Sequence, residues 1–94
     1  MIENFLQLMT NYDEIEFSYN GVQYNFQKEN SNLGKLKISV WQSGEKPKCC
    51  YSVEIEDNLT ALEKSVRNLI DAKIFPDGKS IAESEKDIDV EFFT

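Results

Sequence analysis

The chain has 94 residues, with 17 acidic and 10 basic side chains, no histidine, two cysteines and a formal net charge of -7. That size holds one small α+β domain spanning 1–94, and no run approaches the ~20 apolar residues a membrane-crossing helix needs. Aromatic and branched residues are plentiful enough to build a core, and without imidazole, His-based metal ligation or acid–base catalysis is excluded.

The N-terminal stretch Met1–Leu6 has no basic region and an early acid, so it does not read as a signal peptide, and the cytoplasm is the expected location. Within residues 2–9, Ile2, Phe5, Leu6 and Met9 recur at helical spacing and predict a two-turn helix ending near Thr10 and Asn11. Such a helix is too short to persist alone and must dock.

Residues 14–19 alternate polar and apolar, as do residues 22–27, with Asn20-Gly21 between them. A type I′ turn needs positive φ at both central positions, so this pattern predicts a hairpin. Its register sets Tyr19 against Val22, Phe17 against Tyr24 and Ile15 against Phe26, all on one face. Glu14, Glu16, Ser18, Gln23, Asn25 and Gln27 form the wet face. After a loop over 29–34, Lys35–Trp41 alternates a third time, and Ser43–Pro47 supplies a turn. Lys48–Ile55 then predicts a fourth strand with Cys49, Tyr51, Val53 and Ile55 inward. Antiparallel pairing would place Leu36 against Val53, Ile38 against Tyr51, Val40 against Cys49, Lys35 against Glu54 and Trp41 against Lys48.

Asn58–Ile74 carries one apolar stripe (Leu59, Leu62, Val66, Leu69, Ile70, Ile74) and predicts the main helix, capped by Asn58 or a turn later by Thr60 and Glu63. Phe75-Pro76-Asp77-Gly78 stops it. Ser80–Glu83 can open one further turn. Asp87–Phe92 alternates as an edge strand would, and also reads as an acidic tail over 79–94. The expected architecture is therefore a two-layer α+β fold: a four-stranded antiparallel meander with one face covered by a long helix, in the order α-β-β-β-β-α, plus a C-terminal strand or tail.

No phosphate-cradling or nucleophile-elbow motif occurs, and the cysteines are adjacent, with no third cysteine for a zinc site. The expectation is a non-enzyme with no cofactor, no metal and no catalytic residue. Eleven of the 17 acids fall in residues 54–94. This suits a protein-binding adaptor or inhibitor that docks on a basic surface, with Glu83, Glu85, Asp87, Asp89 and Glu91 as the charged array, alongside Glu63 and Asp71, and Phe92 and Phe93 as anchors. The alternative is a single-stranded nucleic-acid binder that stacks bases on Trp41 among Lys35, Lys37 and Lys48. The β-β-β-β-α order resembles a known single-stranded-DNA-binding fold in topology, but no motif accompanies the likeness. A homodimer joined through a sheet edge is a third arrangement the strand pattern permits, and no membrane partner is expected.

Overall fold

The computed structural model describes residues 4–94. It is an α+β fold with a five-stranded antiparallel open sheet and three α-helices. Strands β1 (Glu14–Tyr19), β2 (Val22–Asn30), β3 (Lys35–Gln42), β4 (Lys48–Glu56) and β5 (Asp89–Phe93) lie in the spatial order β4-β3-β2-β1-β5. The helices are α1 (Phe5–Asn11), α2 (Leu59–Asp71) and α3 (Ile81–Ser84).

The β1–β2 hairpin forms in the register the turn dictates, with Tyr19 opposite Val22, Phe17 opposite Tyr24 and Ile15 opposite Phe26. Asn20 and Gly21 adopt φ of 52° and 75°, the positive pair a type I′ turn requires. Ile15, Phe17, Tyr24, Phe26, Ile38 and Val40 are fully buried on the inner face, so the predicted facing of these strands is correct.

The β3–β4 register differs from expectation. Leu36 faces Ile55, Ile38 faces Val53 and Val40 faces Tyr51, two residues away from the predicted pairs. Lys35 accordingly faces Glu56, Lys37 faces Glu54, Trp41 faces Cys49 and Lys48 faces Gln42. One residue of this shift comes from an irregularity between Val40 and Trp41, where Cys50 is an extra residue on β4, and the other is already present beside the turn, where Trp41 pairs with Cys49. A bulge of this kind reverses the facing of what precedes it. Cys50 therefore packs on the core, and Cys49, expected inside, is exposed.

The predicted N-terminal helix begins at Phe5, capped by the Asn4 side chain, which accepts from Gln7 N at 3.0 Å. Ile2 lies outside the described residues. Phe5, Leu8 and Met9 are buried, each such side chain contributing ~1.5–3 kcal/mol of transfer free energy. The Lys28 ammonium donates to the carbonyls of Thr10 (2.7 Å) and Met9 (3.3 Å), which α1 itself leaves unpaired. At the other end, Phe5 N donates to the Glu85 carboxylate at 3.0 Å.

Helix α2 is capped by Asn58, whose side chain accepts from Ala61 N at 2.8 Å, so Thr60 falls inside the first turn rather than at a cap. It ends at Asp71, three residues before Ile74, because Ala72 turns to extended backbone. That turn sends Phe75 into the core, where its ring stacks on Tyr19 (centroids 4.4 Å) and meets Tyr24 edge-on (5.1 Å). Helix α3 opens on a complete capping box: Ser80 accepts from Glu83 N, and Glu83 accepts from Ser80 N. Residues 89–93 are a fifth strand paired with β1, and the backbone of Thr94 bonds to Asp13 and Glu14. The apolar sheet face is thus covered by three helices and the 75–79 turn together, not by one long helix.

Candidate functional site

All three helices lie against one face of the sheet, and no helix among the described residues covers the opposite face. Strand register lays its side chains out in rows. Cys49, Trp41, Asn25, Glu16 and Phe92 follow one another across all five strands. The next row carries Ser52, Ser39, Gln27 and Glu14. Beyond it Lys37 sits between Glu54 and Glu29.

Trp41 is half-buried, and its indole N–H donates to Ser39 Oγ at 3.2 Å, which fixes the ring against the sheet and buries Ser39. Together with Asn25, Gln27, Ser43, Gly44 and Pro47 it lines an open depression of about 320 Å³. Asn25 Nδ2 donates to Glu14 at 3.3 Å, which orients the amide. Its Oδ1 is buried and has no hydrogen-bond partner among the described residues. A buried acceptor left unmatched costs ~1–3 kcal/mol.

Three acids surround this row. Glu16 lies between Asn25 and Phe92, Glu14 lies beside it, and Glu91 accepts from Gln23 and from Ser18 Oγ. Glu91 reaches the open face because β5 carries an irregularity opposite Glu16 and Phe17. Phe92 is 48% exposed on the same face. Phe93 turns to the other face and packs on the Tyr12 ring at 4.5 Å.

The lysines proposed for nucleic acid are differently placed. Lys35 is ion-paired with Glu56, a bond that raises its pKa, and Lys37 faces Glu54. Lys48 is exposed at the start of β4, opposite Gln42 rather than Trp41, one position beyond the Trp41–Cys49 pair. The lysines thus form no joint positive strip beside Trp41.

The acidic array read from 83–93 is divided too. Glu83 belongs to the α3 capping box and pairs with Lys73; that bond, followed by those from Ser80, holds its carboxyl down to about 2. Glu85 caps α1. Asp87 is exposed in the short turn after α3. Asp89 and Glu91, with Phe92, are the members that reach the β5 side of the open face. The sequence pattern puts Glu14, Glu16 and Asn25 on the same outer face as Trp41, but it does not order the strands that make Asn25 and Glu16 its neighbours in one row.

Burial raises the pKa of the Cys50 thiol despite a Gln42 N–H and the nearby Lys48. Among the described residues, no group of three or more Cys, Asp or Glu is arranged to hold a metal ion. No helix there is long and apolar enough to cross a membrane. Comparison of the chain with protein-family models, curated proteins and solved structures gives no match.

Proposed function

We propose that this chain is a non-enzymatic, acidic protein-binding module that receives a basic segment of a larger partner on its open sheet face. The observation that carries this reading is the row from Trp41 to Phe92. It has an aromatic side chain at each end, Asn25 and Glu16 between them, and Glu14 and Glu91 alongside. An extended segment alternating cationic and apolar residues meets each of these needs. Its cations face the carboxylates or the indole ring, and its apolar side chains cover Phe92. A basic donor also satisfies Asn25 Oδ1. The two edge strands serve this end by resisting self-pairing: β5 is short, and both edges carry charged residues and an irregularity.

Phosphate recognition has less support, because Lys35 and Lys37 face acids across the strands and the charge near Trp41 is negative. Trp41 is the sole tryptophan, so its fluorescence reports this face directly. A synthetic decapeptide alternating arginine and leucine should change that fluorescence saturably at about 50 mM salt, where exposed charges are weakly screened. Glu16→Lys should weaken the association at least about tenfold, equivalent to ~1.4 kcal/mol. Absence of a peptide response overturns the reading, and quenching by a single-stranded oligonucleotide in its place assigns the face to nucleic acid.

A further inference from the structure

A second cavity opens at the other side of the sheet, where the hairpin tip meets the turn after α2. It measures about 360 Å³ and is lined by Tyr19, Asn20, Val22, Tyr24, Pro76 and Asp77. This is within the range of a small-ligand site.

Its chemistry is unusual for a solvent gap. The Tyr24 side chain is fully buried, yet its hydroxyl has no hydrogen-bond partner among the described residues. Burial, and after it the charges of Cys50, Asp77 and Tyr19, raise the pKa of that phenol, so it stays protonated at neutral pH. The Asp77 carboxylate is held in place by three groups: it accepts from Tyr19 Oη at 2.6 Å, from Asn20 Nδ2 at 3.5 Å and from Lys79 N at 3.0 Å. The Tyr19 bond is the main reason its pKa is lowered, so the group is an anion at neutral pH. Among the described residues no ammonium or guanidinium lies within ion-pair distance of it.

The walls are therefore largely apolar, from Tyr19, Val22, Tyr24 and Pro76, and the charged atom among them is the Asp77 carboxylate. Asp77 offers carboxylate lone pairs. Tyr19 Oη donates its hydrogen bond to Asp77 and keeps its own lone pairs, and the Tyr24 hydroxyl, free to accept or to donate, is unengaged among the described residues. A compact cation with three N–H donors on an apolar stem matches this set, with donors for Asp77, Tyr19 Oη and Tyr24 Oη, whereas the Asp77 charge disfavours an anion.

We propose that this cavity binds a primary alkylammonium group, either a free amine or a lysine side chain, with Asp77 as counter-ion and Tyr24 Oη as the buried acceptor. The site is separate from the open sheet face and does not depend on the function proposed for it. The test follows backbone amide resonances of the whole chain by NMR during titration with n-butylammonium, with Nα-acetyl-lysine amide and with uncharged 1-butanol. Saturable shifts at Asn20, Gly21, Asp77 and Lys79 are expected with both amines, in the millimolar range typical of a fragment. Response to n-butylammonium alone assigns the site to free amines, and response to both admits a lysine side chain. Asp77→Asn keeps the acceptor for Lys79 N but removes the charge, and should weaken binding at least about tenfold. Tyr24→Phe should weaken it several-fold in a chain that still folds. Asp71→Asn, the same change of charge at the end of α2, should leave it unaltered. The assignment is overturned if no saturable shift occurs, if 1-butanol shifts the same resonances equally, or if Asp77→Asn binds as the unmodified chain does.

Discussion

Tyr19 and Tyr24 offer the same chemical deletion in two opposite circumstances. Both rings are buried against Phe75, so replacing either with phenylalanine changes one hydroxyl and little else. The Tyr24 hydroxyl is buried with no partner among the described residues, and a group in that state costs ~1–3 kcal/mol of desolvation that folding does not recover. Removing it should stabilise the ligand-free chain by about 1 kcal/mol, the low end of that range, since a cavity lies beside it. For a domain of this size that is an increase in Tm of ~4–8 °C. The Tyr19 hydroxyl donates to a carboxylate at 2.6 Å, so Tyr19→Phe should lower Tm instead. Thermal unfolding followed by circular dichroism reads both signs. Urea unfolding checks that the m-value is unchanged, so that the comparison concerns the native state. If Tyr24→Phe is destabilised by about 1 kcal/mol or more, the hydroxyl has a strong partner in solution and the argument from an orphaned hydroxyl fails.

Two further outcomes follow from the charge and thiol environments. Glu83 is held at about 2, against an ordinary value of 4.5, so its contribution is complete above pH 4.5 and is lost as pH falls toward 2. The difference in urea midpoint between the unmodified chain and Glu83→Gln should shrink across that window, and a difference that does not vary with pH refutes the assignment. Cys49 is exposed, while Cys50 is packed on the core with a raised pKa, so iodoacetamide at neutral pH should modify Cys50→Ser protein faster than Cys49→Ser protein. The reverse order would place the β4 irregularity elsewhere.

The parts of the fold readable from sequence are those fixed over short distances. Asn20-Gly21 leaves one economical turn, and the turn fixes every pair in the β1–β2 hairpin. The Ser80–Glu83 capping box is local in the same way. The β3–β4 register was not readable, because a shift of two residues keeps every side chain on its own face and the alternation is indifferent to it. One of those two residues comes from the turn and the other from the extra residue at Cys50, which also turns Cys49 outward; two identical neighbours give no pattern from which to infer which one turns inward. Phe75 was read as a helix stop because Pro76 follows it. Its place between Tyr19 and Tyr24 depends on a contact spanning more than fifty residues, beyond the reach of any local pattern. The same holds for Glu85 capping Phe5 and for Asp77 meeting Tyr19, so the amine cavity left no sequence signal. The open face was half legible: alternation assigned its residues, but neighbouring strands had to be ordered before Trp41, Asn25, Glu16 and Phe92 became one row.

Why the cover of the sheet is fragmented follows from size. Five strands spaced ~4.8 Å apart make a surface about 20 Å wide before side chains are added, and one helix with its side chains is ~10 Å across. Helix α2 alone therefore leaves about half of the inner face bare. The rest is closed by short pieces, each too small to be stable alone: α1, α3 and the 75–79 turn. Each is held by a polar tie to a distant part of the chain. Lys28 holds the end of α1, Glu85 its beginning, Lys73 the capping acid of α3, and Tyr19 the Asp77 turn. These ties consume acids that a reading of net charge alone would assign to a partner. The acids left around the Trp41–Phe92 row belong to strands instead, on a face that none of the described helices covers. That division is why the open face, rather than the acidic C-terminal segment as a whole, is the surface we propose for a basic partner.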